Sequence, residues 1–155
     1  MITFEKDDKI FSYRVVGVVI HNNKVLVHRN IVDDFWSLPG GRCEFLEVSI
    51  DTLIREMKEE IGVEINIIRP LYFVENFFNF EAKEYHEISI FYLIDFLPNS
   101  RLVFENDTFY GKELRLIFKW VNINQLEELR LYPLFLRKSL KSIKEYPEHI
   151  INRDD

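Results

Sequence analysis

Cysteine is almost missing: Cys43 is the only one in 155 residues. It cannot form an internal disulfide and has no companion at metal-ligand spacing, so a reducing intracellular setting is expected and Cys43 is read as incidental. Lys and Arg never run longer than a pair, and the formal net charge is -6. That balance argues against a general binder of nucleic acid backbones, although a small anionic substrate stays admissible if cations screen it. No apolar run approaches the ~20 residues of a membrane span. The opening MITFEKDDKIF places acids where a signal peptide needs a basic and then an apolar stretch. Repeats, low-complexity tracts and flexible linkers are absent as well. The chain is therefore expected to be soluble and cytoplasmic, with no membrane and no extended nucleic acid among its partners.

What is present suits a packed globular protein. The chain is 47% hydrophobic and 15% aromatic, and its length fits one domain that buries a core without disulfides. The expected organisation is a lead-in over 1–10, a single domain over 11–146 and a loose tail over 147–155.

Two β-rich runs, Phe11 to Ile20 and Lys24 to Arg29, flank Asn22 and Asn23, which tolerate left-handed backbone angles. A tight hairpin follows. DDFWSLPGG then ends extended structure and supplies a backbone with little side-chain obstruction. Ile50, Leu53, Ile54, Met57 and Ile61 recur at helical spacing, with Ser49 placed as an N-cap and Gly62 as the stop. VEINIIRPLYFVENFF and HEISIFYLIDFL read as strands joined by a polar turn, and LRLIFKWV as another strand. NINQLEEL is expected as a short helix and YPLFLRKSLKSIKEY as a longer one, opened by Pro133. Strands and helices so mixed predict the α/β class, α+β by layering, as an α/β/α arrangement around a mixed sheet.

The predicted helix carries Glu56 and Glu60 four residues apart, with Glu59 around the side. Like charges at that spacing cost a few tenths of a kcal/mol per pair unless something neutralises them. Carboxylates on a rigid helix suit Mg2+ or Mn2+, hard cations that keep waters and recruit phosphate oxygens. Small residues before the helix add backbone groups beside the same place. Together these features point to phosphate chemistry.

Gly41, Glu47, Arg55-Glu56-Met57, Glu59-Glu60 and Gly62-Val63 match, at every fixed position, the Nudix box G-x(5)-E-x(7)-R-E-U-x-E-E-x-G-U, in which U is bulky and apolar. With residue frequencies of ~5 to 10% at single-residue positions, chance agreement at one start point falls well below ~one in a million. The chain therefore resembles the Nudix hydrolase family, and the resemblance extends over most of Arg14 to Leu129. It departs from many members at Leu46, where they carry Gly.

The resemblance implies an α/β/α sandwich around a mixed sheet and a Mg2+-dependent (or Mn2+-dependent) pyrophosphohydrolase acting on a nucleoside diphosphate linked to another group. It implies Glu56, Glu60, Glu59 and the Gly40 carbonyl as metal ligands, Glu56 or Glu59 as base, and Glu47 with Arg55 as the brace between loop and helix. Arg29 is a further candidate for substrate phosphate, and Glu113 for an additional catalytic glutamate. Glu75, His86 and Glu87 flank a hairpin that could face a cleft. The other class of function is a Nudix-fold nucleotide-binding or regulatory domain without turnover. Oligomeric state stays open, a homodimer included.

Overall fold

The structure, a computed structural model, describes residues 1–98, 100 and 102–154. Its strands are β1 (Thr3–Lys6), β2 (Lys9–His21), β3 (Lys24–Asn30), β4 (Gly40–Arg42), β5 (Ile65–Phe80), β6 (Lys83–Phe96), β7 (Thr108–Tyr110), β8 (Leu116–Asn122) and β9 (Glu148–Asp154). Helix α1 (Ser49–Glu60) is the long helix, while α2 (Leu102–Glu105), a 3-10 helix (Ile123–Glu128) and α3 (Leu136–Ser139) are short. The strands order as β7-β8-β3-β2-β6-β5-β9, with β1 and β4 also pairing to β2.

The sheet is mixed because β2 runs parallel to β6 and β9 parallel to β5, while the other pairs are antiparallel. Alternation along β2 sends its side chains to two cores. Val15 and Val19 pack with Leu53 and Met57 of α1. Val16 and Val18 pack with Ile123, Leu126, Leu136 and Leu140 on the opposite face. The α/β/α sandwich expected from the sequence is thereby formed.

The Asn22-Asn23 hairpin forms with φ of 51° and 60° at the two turn residues. That is the double left-handed turn whose twist matches the flanking strands. The β5–β6 turn uses Glu81 and Ala82 at φ of 50° and 62°, residues with no intrinsic preference for those angles. Here the long antiparallel register from Ile65–Phe96 to Phe80–Lys83 holds the turn against its own propensity.

Four expectations need correction. The tail expected over 147–155 is a strand in its described part: Glu148–Asp154 pair with Tyr72–Phe78 as β9, and the side chain of Asn152 is buried and donates to Asn76 Oδ1 at 2.8 Å. A short polar segment gave no strong strand signal, but the open backbone edge of β5 supplies it with hydrogen bonds. The longer C-terminal helix shrinks to Leu136–Ser139, because burying Leu136 and Leu140 needs only one turn. NINQLEEL adopts the tighter 3-10 form, capped by Asn122 Oδ1 accepting from Asn124 N at 2.9 Å. Ser49 is the first residue of α1 rather than its cap, and its hydroxyl bonds Tyr92 Oη at 2.7 Å.

A loose tail could be removed without consequence, whereas a docked edge strand cannot. A chain ending at Pro147 is expected to melt at least about 5 °C lower, which for this size corresponds to roughly 1–2 kcal/mol. Thermal unfolding followed by circular dichroism measures it, and an unchanged midpoint would mean that β9 contributes nothing.

Candidate active site

β2 and β3 pair only beside their turn, at Ile20–Val25 and His21–Lys24. Farther along, β2 takes β4 as its neighbour through Arg14–Arg42, Val15–Gly41 and Val16–Gly40, while β3 continues with β8. This fork opens a cleft of about 610 Å³. One end is lined by His28, Gly40, Arg14 and Glu60, the other by Phe35, Phe78, Phe80, Tyr85 and Tyr132.

Close approach at the fork explains the paired glycines. A Cβ on Gly40 would stand 2.1 Å from the Val15 carbonyl oxygen, and one on Gly41 would stand 2.1 Å from Glu56 Cδ. The first glycine lets β4 pair with β2. The second lets the Glu56 carboxyl lie across the chain.

Arg55 organises the acids. Its Nε and Nη2 donate to the two oxygens of Glu47 at 2.9 and 3.0 Å, Nη2 also reaches the Arg42 carbonyl at 3.2 Å, and Nη1 donates to Glu56 Oε1 at 2.8 Å. Nη1 lies 3.3 Å from Glu59 Oε2 as well. Glu47 accepts further bonds from Thr52 Oγ1 at 2.7 Å and Glu44 N at 3.1 Å. The Arg55 guanidinium and these donors hold the Glu47 carboxyl down at about 2. Cys43 lies inside this brace, its Sγ donating to the Glu47 carbonyl at 3.1 Å.

The remaining carboxylates differ in environment. Glu59 has 60% of its side chain exposed. Glu56 is largely buried, and burial moves its pKa upward against the pull of Arg55. Glu60 is the extreme case: burial pushes it up to about 8 although Arg14 opposes the shift. Its Oε2 is buried without a hydrogen-bond partner, 3.9 Å from His28 Nδ1, which is also unpartnered. Burial, and then Arg14, push His28 down to about 3, so it is neutral and cannot serve as the missing cation.

Among the described residues, no three His, Cys, Asp or Glu side chains already converge as a metal cluster. Arg55 draws Glu56 and Glu59 toward itself, while Glu60 points to the fork. A buried acid with no donor is nevertheless what a site for a hard cation requires. The orphaned Glu60 oxygen beside Glu56 therefore fits a divalent metal.

The other sequence candidates are spread more widely. Arg29 lies outside the cleft lining: its Nη1 donates to the carbonyls of Asn30, Ile31 and Asp33, and its guanidinium covers Trp36. Glu113 is exposed and pairs with Arg115 at 3.0 Å, although its charge is felt at Glu60. Glu75 pairs with His149 at 2.7 Å, and His86 packs against Phe11 and Phe77. Glu87 does line the cleft. Sequence reasoning passed over Arg14 and His28. Arg14 carried a usable signal, since it shares a strand face with Ser12, Val16 and Val18 and is a charge on an inward-facing row.

The NUDIX domain profile matches residues 12–142, and the chain belongs to that family. It is 37% identical over 78 residues to an RNA pyrophosphohydrolase from Ruthia magnifica subsp. Calyptogena magnifica, covering 48% of this chain and 44% of that protein. The chain thus spans under half of that relative's length. It is 26% identical over 117 residues to an 8-oxo-dGTP diphosphatase from Buchnera aphidicola subsp. Schizaphis graminum, covering 73% and 78%. The fold is shared with the crystal structure of a UDP-X diphosphatase, at a TM-score of 0.62 and 18% identity, over 90% of this chain and 66% of that one. Among the described residues no helix is long and apolar enough to cross a membrane.

Leu46 sits at φ of 66° and is fully exposed. A non-glycine residue there carries roughly 1 kcal/mol of backbone strain. Leu46→Gly is expected to raise stability by up to about 1 kcal/mol in urea unfolding and to leave turnover within about twofold. A loss of stability would show that the leucine makes a contact that outweighs its strain.

The buried acid also sets a pH dependence for the metal-free protein. Glu60 is raised from its unfolded value near 4.5, so its contribution is fully present below 4.5 and is lost as pH rises through about 8. His28 is depressed from 6.5, so its contribution is present above 6.5 and is lost as pH falls toward about 3. The two slopes offset each other between 4.5 and 6.5. Above 6.5 the Glu60 loss is no longer offset by His28 and amounts to about 1–2 kcal/mol by pH 8. Thermal scans in chelator should show that decline, and Glu60→Gln should flatten it.

Proposed function

We propose that this chain is a divalent-metal-dependent pyrophosphohydrolase that cleaves the P-O-P linkage of a nucleoside diphosphate joined to another group. The observation that carries the reading is the buried, unpartnered Glu60 oxygen at the end of an intact Nudix box, opening into the cleft. Similarity to an RNA pyrophosphohydrolase and to an 8-oxo-dGTP diphosphatase supports a nucleotide substrate. The reading includes Mg2+, with Mn2+ as substitute, a small-molecule substrate and a cytoplasmic setting.

In this reading Glu56, Glu59, Glu60 and the Gly40 carbonyl hold the metal. The ion, when bound, neutralises phosphate charge and makes a water acidic enough to attack. Glu47 and Arg55 hold the loop to the helix so that Glu56 keeps its place over Gly41. Arg14, whose guanidinium lines the cleft and donates to the Leu38 carbonyl at 3.3 Å, presents a cation to the substrate phosphates. Proton acceptance falls to Glu56 or Glu59. Glu59 has open access to water, and burial raises the proton affinity of Glu56. The aromatic end receives the base, for which flat rings are sequence-tolerant partners.

Glu60→Gln is expected to lower turnover at least about a hundredfold while the fold is retained, since it removes ligand charge without changing size. Nucleoside triphosphates, modified triphosphates, nucleotide sugars, ADP-ribose and dinucleoside polyphosphates, screened with Mg2+ and Mn2+ in oxygen-18 water, identify the bond cleaved. Near-normal activity and metal dependence in Glu60→Gln would remove Glu60 from the ligand set. Nucleotide binding by the wild type with no turnover on any of these compounds would instead make the chain a recognition domain.

A further inference from the structure

Beyond the acidic fork, the cleft floor holds a second set of polar groups that the hydrolytic reading does not use. Glu87 of β6 is only 8% exposed, yet among the described residues no Lys, Arg or His forms an ion pair with it. Its neighbours are two hydroxyls. Ser12 Oγ donates to Oε2 at 2.9 Å and Ser89 Oγ to Oε1 at 3.1 Å. Each carboxylate oxygen has more than one acceptor position, so one donor apiece leaves acceptor capacity on both. Burying a carboxylate so sparsely satisfied is costly unless a ligand completes it.

The register places an amide beside that carboxylate. Asn76 of β5 is the direct antiparallel partner of Glu87, so their Cβ atoms stand about 5 Å apart on one face. Both residues line the cleft. Asn152 of β9 donates to Asn76 Oδ1 at 2.8 Å, which fixes the amide and leaves its NH2 as a donor. On the same face, two residues outward along each strand, the next pair is Phe78 and Tyr85, whose rings stack at 4.7 Å and 9°. The floor therefore presents two acceptors and a donor in a row, next to an aromatic platform.

The distance from the fork suits one nucleoside. Gly40 pairs with Val16, and Ser12, four residues back along β2, pairs with Glu87. Four residues of extended chain span about 13 Å, comparable to the reach from a 5′-phosphate to the far edge of its base.

We propose that Glu87 and Asn76 read the base of the substrate and select a guanine-type edge, a 6-oxopurine with adjacent N1–H and 2-amino donors. The carboxylate accepts from both donors and the Asn76 amide donates to O6. Adenine would turn its N1 acceptor toward the carboxylate and offer one donor only, and pyrimidines reach less far and lack the paired donors. Oxidation or alkylation on the imidazole side leaves this edge intact, so modified guanines belong to the same class. The inference rests on the proposed nucleotide substrate but not on turnover.

Binding is therefore measured apart from hydrolysis. Calorimetric titration of the wild-type protein with GDP, IDP and ADP in Mg2+ is expected to give at least about tenfold tighter binding for GDP than for ADP. IDP, which keeps N1–H and O6 but lacks the 2-amino group, falls between them. These three ligands test the edge with no substitution in the protein. Glu87→Gln should then bring GDP and ADP within about threefold of each other, because a wrong hydrogen-bonding group at a base edge is worth about 1–3 kcal/mol. Equal affinity of the wild type for GDP and ADP would overturn the proposal, as would equal weakening of both by Glu87→Gln. A guanine preference in binding without hydrolysis of any nucleotide would support base reading while sinking the pyrophosphohydrolase.

Discussion

One guanidinium fixes the relation between loop and helix on which the site depends. Arg55 reaches back eight residues to Glu47 with two parallel hydrogen bonds, touches the Arg42 carbonyl on β4, and holds Glu56 and Glu59 on its other side. The planar fork of arginine can serve all these directions at once, whereas a lysine offers one point of charge. Because the pair is only partly exposed, removing either member would leave a charge with few alternatives. The brace thus converts sequence spacing into a fixed position for Glu56 over Gly41.

A second constraint is the fork in the sheet. β2 belongs to two neighbourhoods, pairing with β3 at its end and with β4 and β6 along its length. The separation of β3 from β2 lets α1, packed on one face, send Glu60 toward a cleft whose floor is built from the other face. The result is an acid surrounded by low-dielectric walls and lacking a donor. Its high proton affinity in the absence of metal and its suitability for a cation have the same origin, desolvation that Arg14 only partly offsets.

Burial is unevenly distributed along the cleft. Glu60 and His28 at the fork are left unpartnered, while Glu87, Asn76, Asn152, Ser12 and Ser89 form a connected set in which acceptor capacity remains. Strand β9 is part of this arrangement, since Asn152 orients Asn76 and Asp154 lines the cleft. A segment that composition marks as a tail therefore contributes to the site because β5 offered it an unpaired edge.

The framework around the candidate site was partly legible in the chain itself. The spacing from Gly41 to Val63 determined the helix and its stop at Gly62, because helical periodicity and a glycine at φ of 77° are local properties. The Asn22-Asn23 turn was local in the same sense. Only the tertiary structure decided that Glu60 Oε2 would be buried and Glu59 exposed, that Arg29 would turn to its own loop carbonyls, and that Glu87 would face Asn76. Those outcomes depend on strand register and on which strand edge finds a partner, and both are set by contacts between residues far apart in sequence.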